Sequence, residues 1–243
     1  MDTAEEDAVV VVAAMAREFG GLRRYTGPWV DLRLPIEFAC RTEVRGERWI
    51  LAANGPGPRR ARAAVEAVTA RLKSRAAVST GYCGALEPGL GPGDVIVATE
   101  VIDSTSGERF AAGRPRRAAP AAPDVLGRVV TGDRVIATAE GKSGLRARYQ
   151  ASAVDMEAAA VGAWAHARRV PCYCVRAVTD LAGEGFAIDF ERARRADGSL
   201  PASRILWAAL AKRSMGLREL ARLGWRSRRA SARLGEYLAG CQF

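Results

Sequence analysis

The chain has 243 residues, 49% of them hydrophobic and 26% charged, which is enough to bury one large core. Its net charge of +10 comes almost wholly from arginine, since Lys73, Lys142 and Lys212 are its three lysines. No apolar run reaches the roughly 18–20 residues that a membrane-spanning helix needs. The first apolar run follows acids rather than a basic segment, which excludes a secretory signal and makes a cytoplasmic protein the expectation.

Strand-like and helix-like stretches alternate along the chain. Residues 8–14 (AVVVVAA) form a short, fully apolar, β-branched run, as expected of a central strand covered on both faces. A second strand at 48–53 leads through Gly55, Pro56, Gly57 and Pro58 into a helix ending near Leu72. A third strand at 76–80 runs into Gly81, Tyr82, Cys83 and Gly84, and a fourth at 94–102 follows the turn at Gly91 and Gly93. Residues 103 to about 124, rich in Ala, Pro and Arg, read as a loose loop. Beyond it lie a strand near Val129, a helix from about Lys142, a helix over 156–168 and a strand over 172–178. This alternation predicts a mostly parallel sheet with ligands at the carboxyl ends of its strands.

The character changes near residue 203, so the chain divides into an α/β domain over 1–203 and a basic helical extension over 204–243. Three helices are drawn there, over 202–215, 217–223 and 227–239. Between Arg204 and Arg233 stand nine basic residues and one acid, with Trp207, Leu210, Leu217, Leu220, Leu223 and Trp225 supplying an apolar side. Such a stretch suits either a helical cap on the domain or peripheral contact with an anionic membrane.

Five cysteines without a CxxC pair, beside the lone His166, give neither a disulfide framework nor a zinc set. No metal and no cofactor are expected. Cys172 and Cys174 sit in an apolar strand and read as buried thiols. The aromatic residues do not interleave with the basic ones, so nucleic acid is not an expected partner despite the charge.

Three segments carry chemistry. Glycines directly after the third strand let the backbone approach a ligand closely. Asp155, Met156 and Glu157 open a helix with two carboxylates, a place where acids are favoured by the helix dipole alone. The strand ending in Arg176, Ala177, Val178, Thr179 and Asp180 puts an acid where an ordinary N-cap often stands.

Together, in this order, these segments resemble the nucleoside phosphorylase and nucleosidase superfamily. The likeness runs over about 9–182, some three-quarters of the chain. It rests on Thr80, Gly81 and Gly84 with Gly93 and Asp94, then Thr131, Gly132 and Asp133, then Asp155 to Glu157, and Arg176 with Asp180. Methylthioadenosine/S-adenosylhomocysteine nucleosidases are the nearest relatives of defined activity, and the hopanoid-associated phosphorylase group resembles the chain more closely still. The resemblance implies a three-layer α/β/α sandwich with a twisted, mostly parallel sheet, assembled as a homodimer or larger homo-oligomer.

It also implies roles. Asp180 would be the general acid at purine N7. Glu157 would hold the ribose hydroxyls with Met156 against the sugar, and Glu18 would hold and activate water. Val135 and Ile136 would flank the base, while Gly81, Tyr82, Cys83 and Asp155, with Arg176 as a partner behind the acids, would complete the substrate site. For Asp180 to be protonated near neutral pH, burial or neighbouring acids should favour its acid form. The implied reaction is cleavage of the N-glycosidic bond of an adenosine-type purine nucleoside, adenosylhopane among the substrates.

Three departures bear on this reading. Tyr82 replaces the usual small hydroxyl residue, Asp155 replaces a glutamate, and Ser79 stands where some phosphorylases place an arginine. Gly55, Gly57 and Arg59, opening a helix, are candidates to bind phosphate as co-substrate, so water and phosphate both stand as nucleophiles. The alternatives to an enzyme are a catalytically silent nucleoside-binding protein, which Tyr82 would favour, and, less well supported, a nucleic-acid-binding protein.

Overall fold

The computed structural model describes residues 7–117, 124–185 and 213–243. Strand β1 (Ala8–Ala13) is fully buried, and its two faces meet different partners. Val9, Val11 and Ala13 pack with Ala230, Leu234, Tyr237 and Leu238 of the C-terminal helix. Ala8, Val10 and Val12 pack with Ala61, Val65 and Val68 of α1 (Pro58–Thr69) and with Val161 and Trp164 of α3 (Ala158–Arg168). A strand apolar at every position must be covered on both sides, and here it is. The result is helix, sheet, helix.

The sheet runs β10–β9–β6–β11–β5–β1–β4–β3–β2. Its members are β2 (Val30–Asp31), β3 (Phe38–Val44), β4 (Glu47–Ala53), β5 (Ser74–Ala85), β6 (Val95–Asp103), β9 (Asp124–Thr131), β10 (Ala153–Asp155) and β11 (Cys172–Asp180). The central pairs β4–β1, β1–β5 and β5–β11 are parallel, while β3–β4 and β6–β11 are antiparallel. Strand β10 also pairs antiparallel with β5, so this half of the sheet closes on itself like a barrel. Helix α2 (Ala139–Tyr149) joins β9 to β10, and Thr138 caps its start by accepting from the Gly141 N–H.

Two expectations change. The supposed loose loop returns onto the sheet: β7 (Arg109–Ala111) pairs with β6, and β8 (Arg116–Arg117) pairs with β12 (Cys241–Gln242). Phe110 is buried, so that loop is anchored by its one large apolar side chain. The C-terminal region forms one helix, α4 (Arg213–Ala239), rather than separate pieces, and residues 202–212 lie outside those described. Gly224 costs a helix only about 1 kcal/mol, and burial of Ala230, Leu234, Tyr237 and Leu238 offsets that. No helix among the described residues is long and apolar enough to cross a membrane.

Candidate active site

The carboxyl ends of β1, β5, β10 and β11 meet around a cavity of about 190 Å³. Glu18, Glu157 and Asp180 line it, with Tyr82, Cys83, Val135, Ile136 and Met156. Three separate elements deliver the acids. Glu18 sits in a 3₁₀ turn (Ala16–Phe19) just after β1, Glu157 lies between β10 and α3, and Asp180 ends β11. A second cavity of about 1120 Å³ shares Met15, Tyr82, Val135, Thr179 and Asp180 with the first. It is the larger of the two, yet Glu18 and Glu157 line only the smaller one.

Arg176 organises the acids from behind. It is fully buried, pairs with Asp155, and reaches Glu157 at 3.8 Å. It also donates to the Ser79 hydroxyl at 2.6 Å and to the Thr80 carbonyl. Glu157 accepts the Gly57 N–H at 2.9 Å. Glu18 accepts the Ala14 N–H at 3.1 Å. Burial pushes the Glu18 carboxyl up to about 8, and the nearby Glu157 adds to the shift. Burial, and then the Asp155 charge, also raise Glu157 above the usual carboxylate range.

Two glycines make this crowding feasible. Gly81 has φ +127°, and a Cβ there would overlap the Glu18 carboxylate and approach Arg176 at 3.0 Å. A Cβ on Gly84 would lie 2.6 Å from Asp180 Oδ2. Any side chain at either position displaces an acid.

A model of the phosphorylase superfamily matches residues 8–126 and 117–211, most of the chain. The chain belongs to the phosphorylase superfamily. Among curated relatives of this superfamily member, a 5'-methylthioadenosine/S-adenosylhomocysteine nucleosidase from Actinobacillus succinogenes is 27% identical over 201 residues. That match covers 73% of this chain and 86% of the relative. An aminodeoxyfutalosine nucleosidase from Campylobacter jejuni is 23% identical, covering 75% and 90%. Among solved structures, the 5'-methylthioadenosine/S-adenosylhomocysteine nucleosidase from Neisseria meningitidis, in complex with methylthio-immucillin-A, superposes with a TM-score of 0.69. It shares 24% identity, with 96% of this chain and 99% of that one covered, and so supports the fold.

Several residues of this superfamily member stand otherwise than the sequence suggests. Asp155 reaches the wall of the smaller cavity, but its buried carboxylate is committed to the protein: it accepts from the Thr131 hydroxyl at 2.6 Å and from the Ala158 N–H at 2.8 Å, and it pairs with Arg176. It caps α3 and neutralises a buried cation. Arg176 has no exposed surface and stands behind Asp155 and Glu157, as expected of a partner for the acids. The expected phosphate cradle is not formed, because Gly55 gives its N–H to the Ala14 carbonyl and Gly57 gives its own to Glu157. Arg59 points outward and is exposed. Tyr82 separates the two cavities, and Cys83 is buried with its thiol pushed well above the ordinary range by that burial.

Sequence reasoning missed Lys142. Its ammonium lies 2.5 Å from Asp180 Oδ2, so a cation, rather than acids, adjoins this carboxylate. One signal was available: Lys142 is one of three lysines in a chain that otherwise uses arginine, and lysine is the more compact cation. Thr131 was noted only as part of a motif, and its hydroxyl completes the α3 cap by accepting the Ala159 N–H at 2.9 Å. Among the described residues, no group of three or more His, Cys, Asp or Glu could hold a metal ion.

Proposed function

We propose that this chain cleaves the N-glycosidic bond of an adenosine-type purine nucleoside and releases the free base, with water as the nucleophile. The observation that carries the reading is the convergence of Glu18, Glu157 and Asp180, from three elements, on one cavity. Breaking the bond builds positive charge on the sugar and negative charge on the purine. Glu157 answers the first charge, Asp180 protonates N7 to relieve the second, and the ionised form of Glu18, which grows as pH rises toward about 8, takes the proton from water. The relatives named as nucleosidases support this assignment.

Water is favoured over phosphate on charge. Among the described residues lining the smaller cavity, Arg134 is the one cation, so a phosphate dianion would meet a single positive side chain there beside the carboxyls of Glu18 and Glu157. The Gly55 and Gly57 N–H groups are already committed. The larger adjoining cavity leaves room for a 5′ substituent bigger than a methylthio group, the class to which adenosylhopane belongs. The test is chromatography of free adenine from an adenosine-nucleoside panel, with and without phosphate. Release that requires phosphate would overturn hydrolysis, and no release from any member would overturn the activity.

A peripheral contact with anionic membrane is supported by one further observation. Arg222, Trp225, Arg228 and Arg229 are exposed along one side of α4, with Trp225 57% exposed. Co-sedimentation of the full chain with anionic vesicles at low salt, lost at high salt, is expected. A chain that stays in the supernatant at low salt would end this reading.

A further inference from the structure

The contact between Lys142 and Asp180 plays no part in the mechanism above. Lys142 stands in the first turns of α2, is 1% exposed, and does not line the cavity that Asp180 faces. Its ammonium donates to Asp180 Oδ2 at 2.5 Å and to the Leu181 carbonyl at 2.7 Å. Asp180 Oδ1 accepts from the Thr179 hydroxyl at 3.0 Å. A carboxylate in a salt bridge has given up its proton, so the resting site holds no proton on the group meant to protonate the purine.

We propose that Lys142 is a positioning residue that stores this proton and supplies it to Asp180. The inference rests on the assignment of Asp180 as the acid for the leaving purine. A proton passes from Nζ to the Asp180 carboxyl, and the N–H electron pair stays on nitrogen. Asp180 then gives the proton to purine N7 as the bond from the sugar C1′ to N9 breaks, its electron pair going to the base. Water bonds to C1′ and loses its proton to ionised Glu18, and that proton returns across the cavity to Asp180 and through it to the Lys142 amine. The balance is nucleoside and water in, sugar and free purine out. No proton need be drawn from bulk water to load the acid, so protonation of the leaving purine stays independent of medium pH until the pair itself is emptied.

Other charged groups bear on the pair. Arg226 of α4 adds its field at Asp180, and it is held by Glu184 at 2.5 Å. Cys83 of β5 lies beside Asp180. Glu18, Asp155, Glu157 and Arg134 line the same cavity. All of these remain when Lys142 alone is changed.

The test is the pH dependence of kcat/KM for adenine release by the wild type, Lys142→Met and Lys142→Arg, each checked for folding by circular dichroism. A proton shared between two basic sites is held at least as tightly as by either alone, so losing the store moves the alkaline limb downward. An arginine keeps its charge and yields no proton, so its limb falls lowest. The expected order of alkaline limbs is wild type, then Lys142→Met at least about one pH unit below, then Lys142→Arg. Both variants should be at least ~10-fold slower at pH 8, within the range that general acid catalysis contributes. If Lys142 only holds Asp180 in place, Lys142→Arg follows the wild type and Lys142→Met moves upward, the opposite order. That result, or equal slowing at every pH, overturns the proposal while leaving the activity intact. Should Lys142→Met fail to fold, the comparison of Lys142→Arg with wild type decides alone: a lower limb supports the store and a coincident limb overturns it. Absence of adenine release by the wild type removes the activity and this inference together.

Discussion

Gly57 donates its backbone N–H to Glu157 Oε1 at 2.9 Å, joining two loops that lie 100 residues apart in the chain. The bond fixes one oxygen of the carboxylate and leaves the charge free to answer the sugar. Glu157→Gln can keep the Gly57 contact while losing that charge. We expect kcat to fall by about 10²-fold, the scale of one lost electrostatic contact to a transition state, with little change in KM. Steady-state kinetics decide it, and a raised KM at fixed kcat would make Glu157 a binding residue only.

Asp180→Asn should lower kcat by at least ~10²-fold, the lower figure for losing a general acid. Lys142 then lacks its anionic partner, so some loss of stability is expected too, and the melting temperature should be read alongside. Near-normal turnover in a folded Asp180→Asn protein would remove Asp180 from the chemistry.

Glu18 gives stability its own pH dependence. An exposed glutamate titrates near 4.5, while burial holds the Glu18 proton up to about 8. Between those values the folded protein binds more protons than the unfolded chain. The contribution is fully present below about 4.5 and is lost as pH rises through the window, by about 1.4 kcal/mol per pH unit at most. Glu18→Gln does not titrate and keeps an acceptor for Ala14. Its urea midpoint should therefore gain on the wild type between pH 5 and pH 8. A constant difference across that range would show that Glu18 is not held as a buried acid.

Gly81→Ala should be costly for activity. The new methyl would overlap the Glu18 carboxylate, and the backbone stands at φ +127°, where L residues are strained. We expect at least a ~10-fold loss in kcat/KM, because misplacing a reacting group by about an ångström costs on that scale or more. Wild-type rates in Gly81→Ala would mean that Glu18 can retreat without consequence.

The buried half of α4 sets a further expectation. Leu234, Tyr237 and Leu238 share a cluster with β1 and with Val175 and Ala177 of β11. A chain ending before residue 226 should therefore be insoluble or unfolded in thermal melts. A stable, active truncated chain would show that the domain closes without this helix.

Much of this was legible in the sequence because it was written locally. An all-apolar run such as 8–14 signals a central strand, and glycines following a strand signal close approach. The acids at 157 and 180 stand at helix and strand ends where residue order alone exposes them. What stayed hidden depends on distant pairing. Asp155 and Glu157 look equivalent in sequence, yet Asp155 is bound up with Arg176, Thr131 and the start of α3, while Glu157 keeps one oxygen on Gly57 and only a long contact to Arg176. Lys142 reads as an ordinary helix residue until α2 is laid against the end of β11. The Gly55 and Gly57 N–H groups look free for phosphate until Ala14 and Glu157 arrive to accept them.

The position of β11 also shapes how the site comes into being. It lies between β5 and β6, two strands made long before it as the chain is synthesised. Until residues 172–180 enter that slot, β5 and β6 each present an unpaired edge, the kind of surface that invites aggregation. Thr179 closes on the Cys83 carbonyl across 96 residues of intervening chain, a contact slow to form by diffusion. Asp180 arrives with it. A nascent chain thus carries Glu18 and Glu157 before it carries Asp180, and catalytic competence should emerge in the last kinetic phase of refolding, together with protection of the β5 amides from exchange.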